Sequence, residues 1–361
     1  MNQDAYPDNE LNFMNNTISQ NPDRPINVAV VGLGFMGITH IKSYQQLPGA
    51  RIVAVCDAVR LPVDGVLTGV SGNIHGADAI NLGKDIQTYS QVEDLLANAE
   101  VDLVDLCVPT PLHAAQATAA LQAGKHVLCE KPLARTSAIA REIVNAAKAA
   151  PGFFMPAMCM RFWPGWAWLK QLAAQNTYGK ILTARFRRVS APPGWSRDSY
   201  FKGGDSGGAL LDLHIHDTDF VQFLFGRPTS VYSTGQSRFS GAIDHVVTQY
   251  KVGGGATVYA EGSWLLTSGF SMGYTVMFER ATLDFDSARR GDALQLMEEG
   301  KPVSTVQPEG VDGYVEELRH LLTAIRSGQP PTVVTVADGL SAVEICEAEE
   351  KSIQTGRVVD L

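Results

Sequence analysis

Two stretches far apart in the chain carry residues able to do chemistry. One is Gly207-Gly208-Ala209-Leu210-Leu211-Asp212-Leu213-His214-Ile215-His216-Asp217-Thr218-Asp219. On a regular helix Asp212, His216 and Asp219 stand at i, i+4 and i+7, within about 60° of one face. An imidazole flanked by carboxylates, with a reference pKa of about 6.5, exchanges protons at neutral pH. The plain alternative is a salt-bridge cluster at a helix end. His214 lies about 160° from His216 on such a helix, so the pair cannot share one ion and no metal is expected. The other stretch is Glu130-Lys131-Pro132. An ammonium at a strand end, beside a hydride acceptor, would hold a substrate hydroxyl and stabilise the alkoxide formed as hydride leaves. Without that neighbour Lys131 is simply a surface lysine. Pro132 makes the Lys131–Pro132 bond a candidate for cis.

The element that must position Lys131 opens the chain's ordered part. Val28 to Val31 is apolar and mostly β-branched, a strand buried on both faces as in a parallel sheet. Gly32-Leu33-Gly34-Phe35-Met36-Gly37 follows at once, and a helical pattern runs from Ile38 to Leu47. Gly32 allows a tight turn, Gly34 lets backbone approach a diphosphate, and Gly37 lets helix and strand pack closely. The anion would sit on free N–H groups at the positive end of the helix. A second strand, Ile52 to Cys56, ends in Asp57, 20 residues after Gly37. A carboxylate there would bond both ribose hydroxyls and repel a 2′-phosphate, which favours NAD over NADP. Arg60 keeps NADP open. Strand, glycines, helix and acid together predict a dinucleotide site.

A chain of 361 residues is expected to form two domains, and 45% apolar residues suffice for full cores. A net charge of −9 without any basic run argues against nucleic acid as a partner. No apolar run is long enough for a membrane helix. Five scattered cysteines (Cys56, Cys107, Cys129, Cys159, Cys346) form no C-x-x-C pair and read as core residues of a reducing cytoplasm. Residues 1–25 are polar and read as a disordered lead-in or an arm on a neighbouring subunit. Strand and helix then alternate over 26–150: a strand at 86–89, a capping box Ser90-Gln91-Val92-Glu93, a strand at 101–108, Thr110 as N-cap with Pro111 in the first turn, a strand at 126–129, and a helix at 137–149. The loop 61–83 holds no evident helix. Gly32, Asp57, Pro109 and Lys131 all end strands, so they converge on one crevice. Residues 151–335 change to period-two strands with Gly-rich turns, a mostly antiparallel open sheet with helices at 166–174 and 209–224. The fold class is therefore α/β, a Rossmann domain over 26–150 followed by an α+β domain with a mostly antiparallel open sheet over 151–335, closed by a helix over 336–353.

These motifs resemble the Gfo/Idh/MocA family, the glucose–fructose oxidoreductase and inositol dehydrogenase relatives. The residues that carry it are Gly32-x-Gly34-x-x-Gly37, Pro109-Thr110-Pro111-x-His113, Gly124-Lys125-His126-Val127-x-x-Glu130-Lys131-Pro132 and Gly208-x-x-x-Asp212-x-x-x-His216-x-x-Asp219. The resemblance spans residues 26–361, including a last helix that packs on the nucleotide domain. It implies Lys131, Asp212 and His216 as the catalytic trio, with His216 taking the hydroxyl proton, Lys131 steadying the alkoxide and Asp212 positioning substrate. It also implies that Pro109, Thr110, His113 and Glu130 line the nicotinamide side, and that the open sheet face makes homodimers or homotetramers. The substrate would be a secondary alcohol of a sugar, cyclitol or derivative. A glycosidase or eliminase using transient oxidation, and a non-catalytic sugar sensor, are the alternatives. Two departures stand out. Cys159-Met160-Arg161-Phe162-Trp163-Pro164 replaces the family's Asn-Arg-Arg-Phe-Asp-Pro, keeping Arg161 as a candidate for cofactor or substrate contact, and His214 stands where Gly is common. Trp163 and Trp195 are candidates for stacking on a sugar ring, with core packing as the alternative.

Overall fold

The computed structural model describes residues 24–68, 79–194, 200–289, 291 and 293–361. Nearly all of the 1–25 segment, much of the 61–83 loop and Trp195 lie outside the described residues.

The first layer is a parallel sheet in the order β5–β2–β1–β6–β7–β8. It comprises β1 (Ile26–Val31), β2 (Ala50–Cys56), β5 (Gln87–Tyr89), β6 (Leu103–Leu106), β7 (His126–Glu130) and β8 (Phe154–Ala157). β3 (Val66–Leu67) and β4 (Ile80–Asn81) form a small antiparallel pair outside it. Every residue of β1 is buried, as a central strand covered on both faces must be. From β1 the chain moves outward to β2 and then crosses back to β6 on the other side. That reversal opens a crevice at the carboxyl ends of the strands. Helices α1 (Phe35–Tyr44), α2 (Val92–Leu96), α3 (His113–Gln122) and α4 (Ser137–Ala149) connect the strands, and α5 (Pro164–Ala174) leads into the second layer.

The second layer is a nine-stranded sheet running from β9 (Ile181–Ser190) through β10 (Ser230–Gln236), β11 (His245–Lys251), β12 (Thr257–Ser263), β13 (Phe270–Phe278), β14 (Ala281–Asp286), β15 (Leu294–Glu298) and β16 (Ser304–Thr305) to β17 (Val359–Asp360). All pairings are antiparallel except β9 with β12. Trp166, Phe186, Phe220 and Tyr274 fill one side as an edge-on aromatic cluster. Two late helices tie the layers together. The apolar stripe of Gly313–Ser327 (Val315, Leu318, Leu321, Leu322, Ile325) joins the first core, although it follows every strand of the second sheet but β17 in sequence. Val336–Thr355 lies against both α4 and β10.

Three local expectations are corrected. Ser90 closes no capping box: Gln91 is the N-cap of α2 and no side chain caps it. Thr110 is not an N-cap; it opens a 3₁₀ turn, Thr110–Leu112, whose cap is Pro109, and α3 starts only at His113. The helix over 209–224 is not regular, because Leu210–His214 is a π-helical turn that passes into an α-helix at Ile215–Phe225. With i→i+5 bonding the angular step assumed for Asp212, His216 and Asp219 no longer holds across it.

Candidate active site

Gly32 ends β1 at φ +91°, and a Cβ there would lie 2.4 Å from the Cys107 carbonyl oxygen, so only glycine fits. Gly34 begins α1 with no side chain capping the helix, and a Cβ added to it would meet nothing within 4 Å. Beside it opens a crevice of about 510 Å³ lined by Gly32, Gly34, Phe35, Met36, Asp57, Pro109, Thr110, Glu130, Lys131 and Asp212, among others. Exposed N–H groups at a helix start, facing free space, suit a diphosphate. Of the other residues of the glycine turn, Leu33 is buried in the core and Gly37 packs on the Gly32 carbonyl, so their roles are to shape the turn.

Asp57 sits at the crevice edge as expected, but its carboxylate already accepts three backbone N–H bonds. Oδ2 takes Leu33 N at 2.7 Å, and Oδ1 takes Val59 N at 2.9 Å and Arg60 N at 2.8 Å. A carboxylate has about four acceptor positions, so one remains rather than the pair expected for two ribose hydroxyls. Arg60 Nη1 donates to the Leu33 carbonyl at 3.4 Å.

Lys131 follows β7, and its peptide bond to Pro132 is cis. Its Nζ donates to the main-chain oxygen of Asp212 at 2.8 Å and to Asp212 Oδ1 at 3.0 Å. The lysine comes from the first layer and the aspartate from the π turn of the second, so the pair closes the crevice from both sides. Burial lowers the Lys131 pKa, but Asp212 and Glu130 outweigh it and the net direction is upward. Lys131 is an ammonium at neutral pH. One turn on, His216 is half-buried, with Nδ1 buried and unpartnered. Burial, then the charges of Lys131 and Arg188, hold its pKa well below 6.5. It is a neutral imidazole beside an ammonium. His216 does not line the crevice opening itself; the cation that does so, Lys131, is one of those depressing its pKa.

The other candidate residues go elsewhere. Asp219 does not flank His216: it accepts two bonds from Arg161, at 2.7 and 2.8 Å. Arg161 also donates to the Val333 carbonyl at 2.8 Å and lies 3.3 Å from Asp338, committed to these partners and outside the crevice. His113 is buried behind the crevice wall, with its ring nitrogens 2.9 Å from the carbonyls of Val108 and Pro132. It shapes the Pro109–Thr110 turn from behind. Trp163 packs edge-on against Tyr314 and over Gly313, away from the crevice. His214 turns from His216 toward Tyr250, at 3.0 Å, and Glu349, at 3.4 Å. Among the described residues only His40, Asp105 and Cys107 bring three metal-type donors together, at hydrogen-bonding separations. Sequence reasoning missed Tyr200, Lys202, Asp205 and Ser206, which line the crevice, and Arg188, which pairs with Asp217 and depresses His216. No motif spacing marks them; only the fold brings them there.

Residues 26–157 match the oxidoreductase family with an NAD-binding Rossmann fold, Gfo/Idh/MocA, and residues 166–284 match that family's C-terminal domain. The chain belongs to the Gfo/Idh/MocA family. It is an NAD-dependent oxidoreductase, and the crevice at the glycine turn fits the dinucleotide. Among its Gfo/Idh/MocA relatives, a myo-inositol 2-dehydrogenase of Thermotoga maritima is 26% identical over 92% of this chain and 98% of its own. An inositol 2-dehydrogenase of Streptomyces avermitilis is 28% identical over 92% of this chain and 93% of its own. The structure of a levoglucosan dehydrogenase in complex with NADH and L-sorbose superposes with a TM-score of 0.78 over 93% of this chain and 99% of that one, at 22% identity. That likeness establishes the fold. No helix among the described residues is long and apolar enough to cross a membrane.

Proposed function

We propose that this oxidoreductase moves a hydride between NAD and a secondary alcohol of a sugar, cyclitol or related polyol. Lys131 would stabilise the alkoxide, His216 would take the proton and Asp212 would position the oxygen between them. Bound NAD supplies the hydride acceptor. The observation that carries the reading is the Lys131–Asp212 contact at the crevice, with an imidazole kept neutral beside it. An ammonium has three donors, and Asp212 occupies two of those of Lys131. The third is left for a substrate oxygen. A neutral His216 accepts the hydroxyl proton, while Lys131, held charged by Asp212 and Glu130, stabilises the oxygen without itself releasing a proton. The names of the inositol dehydrogenase relatives support a cyclitol or sugar as substrate. The one acceptor position left on Asp57, and its negative charge, favour a ribose hydroxyl over a 2′-phosphate.

Five free cysteines fit a reducing cytoplasm. The open face of the second sheet exposes Tyr232, Tyr259 and Met277 and suits a homodimer or homotetramer contact.

Incubation with NAD and a panel of sugars and cyclitols, following reduced-nicotinamide absorbance and product mass, tests the assignment. Lys131→Met and His216→Ala should each lower turnover by orders of magnitude while NADH still binds. Unchanged turnover in either variant sinks that residue's role.

A further inference from the structure

Behind Glu130 lies a buried charge chain that the reaction as described does not use. His40, on α1, is fully buried. Its Nδ1 donates to Asp105 Oδ2 at 2.8 Å, and its Nε2 lies 3.3 Å from Glu130 Oε1, an ion-pair contact rather than an aligned hydrogen bond. Glu130 in turn accepts the backbone N–H of Lys131 on Oε2 at 3.1 Å and lines the crevice. The order is therefore Asp105, His40, Glu130, crevice.

The groups facing His40 come from four elements. Asp105 stands on β6 with Cys107 just beyond it, Glu130 on β7, Tyr44 on α1 itself, and Tyr314 and Glu317 on the Gly313–Ser327 helix. Burial pushes the phenols and the Cys107 thiol upward, so all three stay protonated at neutral pH, and it pushes the Glu317 carboxyl upward as well. What remains is one imidazole between two carboxylates. Burial alone would neutralise His40 and Glu130; each is instead held charged, His40 mainly by Asp105 and Glu130 by His40 and Lys131.

We propose that His40 is a positioning residue, a buried imidazolium that keeps Glu130 ionised and turned to the crevice, where its charge favours the cationic oxidised nicotinamide over the neutral reduced ring. This rests on the reading that the nicotinamide lies beside Lys131. A negative charge at this range distinguishes the two redox forms because only one carries a ring charge, and the crevice wall screens less than water. Asp105 serves to hold the imidazole charged and its ring fixed.

The test is direct binding of NAD and of NADH to the wild-type protein, His40→Gln, Glu130→Gln and the double variant. Glu130→Gln should lower the ratio of NAD to NADH affinity by about tenfold. His40→Gln should lower it in the same direction, and the double variant should add little to either. A shifted ratio in Glu130→Gln with an unchanged one in His40→Gln makes His40 a packing residue only and overturns the proposal. An unchanged ratio in both shows that Glu130 does not face the ring, with the same result. If His40→Gln does not fold, Asp105→Asn, which weakens the imidazolium without changing shape, is read by the same ratio. A mere structural role would move both affinities together. Failure of the site reading is separate, since it appears as Lys131→Met keeping its turnover.

Discussion

Two cation–carboxylate pairs hang on one helical segment, and they differ in what surrounds them. Lys131 and Asp212 meet at 3.0 Å with 13% and 16% of their side chains exposed. Arg161 and Asp219 meet at 2.7 Å with 3% and 1% exposed. Both cations follow strands of the first sheet, and both carboxylates belong to the second layer. The first pair keeps a free donor and an open crevice. In the second the guanidinium makes four contacts, two to Asp219 and one each to the Val333 carbonyl and Asp338. Openness rather than residue type separates a pair that can still receive a ligand from a clamp between layers.

The sharpest way to break that contrast is a reciprocal pair of substitutions. Lys131→Met should lower kcat by about 10²–10³-fold, the scale of losing an electrostatic stabiliser, with little change in Tm. Arg161→Met should do the opposite, costing about 3–5 kcal/mol of stability by stranding buried Asp219, while the folded fraction keeps its kcat. Denaturant titration and kinetics per folded molecule read both. A stable Arg161→Met with lost turnover would return Arg161 to the site.

The pH profile tests the role proposed for the open pair and His216. His216 titrates well below 6.5 and Lys131 above 10.5, so between those values neither changes charge. A plot of kcat/KM against pH should be flat across that interval, with its acid limb below it. A limb within the interval would mean that another group carries the proton.

The smallest effect concerns Glu317, buried near His40 with neither carboxyl oxygen hydrogen-bonded. Burial raises its pKa well above 4.5, so the folded protein holds a proton that the unfolded chain releases. Stability from that source is full below the unfolded value and declines as pH rises toward the folded one. Glu317→Gln should therefore raise Tm by about 2–4 °C at neutral pH. The gain should grow from about pH 4 to about pH 6 in thermal melts, as the unfolded chain's carboxyl titrates and the folded one does not. A destabilised variant at both pH values would mean that Glu317 is charged and paired.

Much of the fold could be read from pattern. The buried run of β1, its glycine turn and the acid at Asp57 fix a Rossmann sheet, because a parallel central strand and a close phosphate approach leave few other choices of residue. The sequence also singles out Lys131 and Asp212, each at a strand or helix end marked by Pro or Gly, and the fold brings the two side chains into contact. The spacing of Asp212, His216 and Asp219 misled for a local reason: Leu210–His214 is π-helical, so Asp212 rotates out of register with the two α-helical residues, and Asp219 is held instead by Arg161. Trp163 and Arg161 misled for another, since an aromatic or a guanidinium near a site is equally suited to filling the seam between two layers.

By itself the sequence determined most strands and helices, the glycine turn and which residue types could exchange a proton or steady an oxygen. Those follow from local rules: which side chains bury, which backbones turn, which groups titrate. Only the tertiary structure decided which charges meet. It brought Arg188 and Lys131 against His216, His40 between Asp105 and Glu130, and Asp219 onto Arg161. The physical reason is that a group's protonation state depends on burial and on charges within a few ångströms, and those neighbours come from segments up to hundreds of residues away.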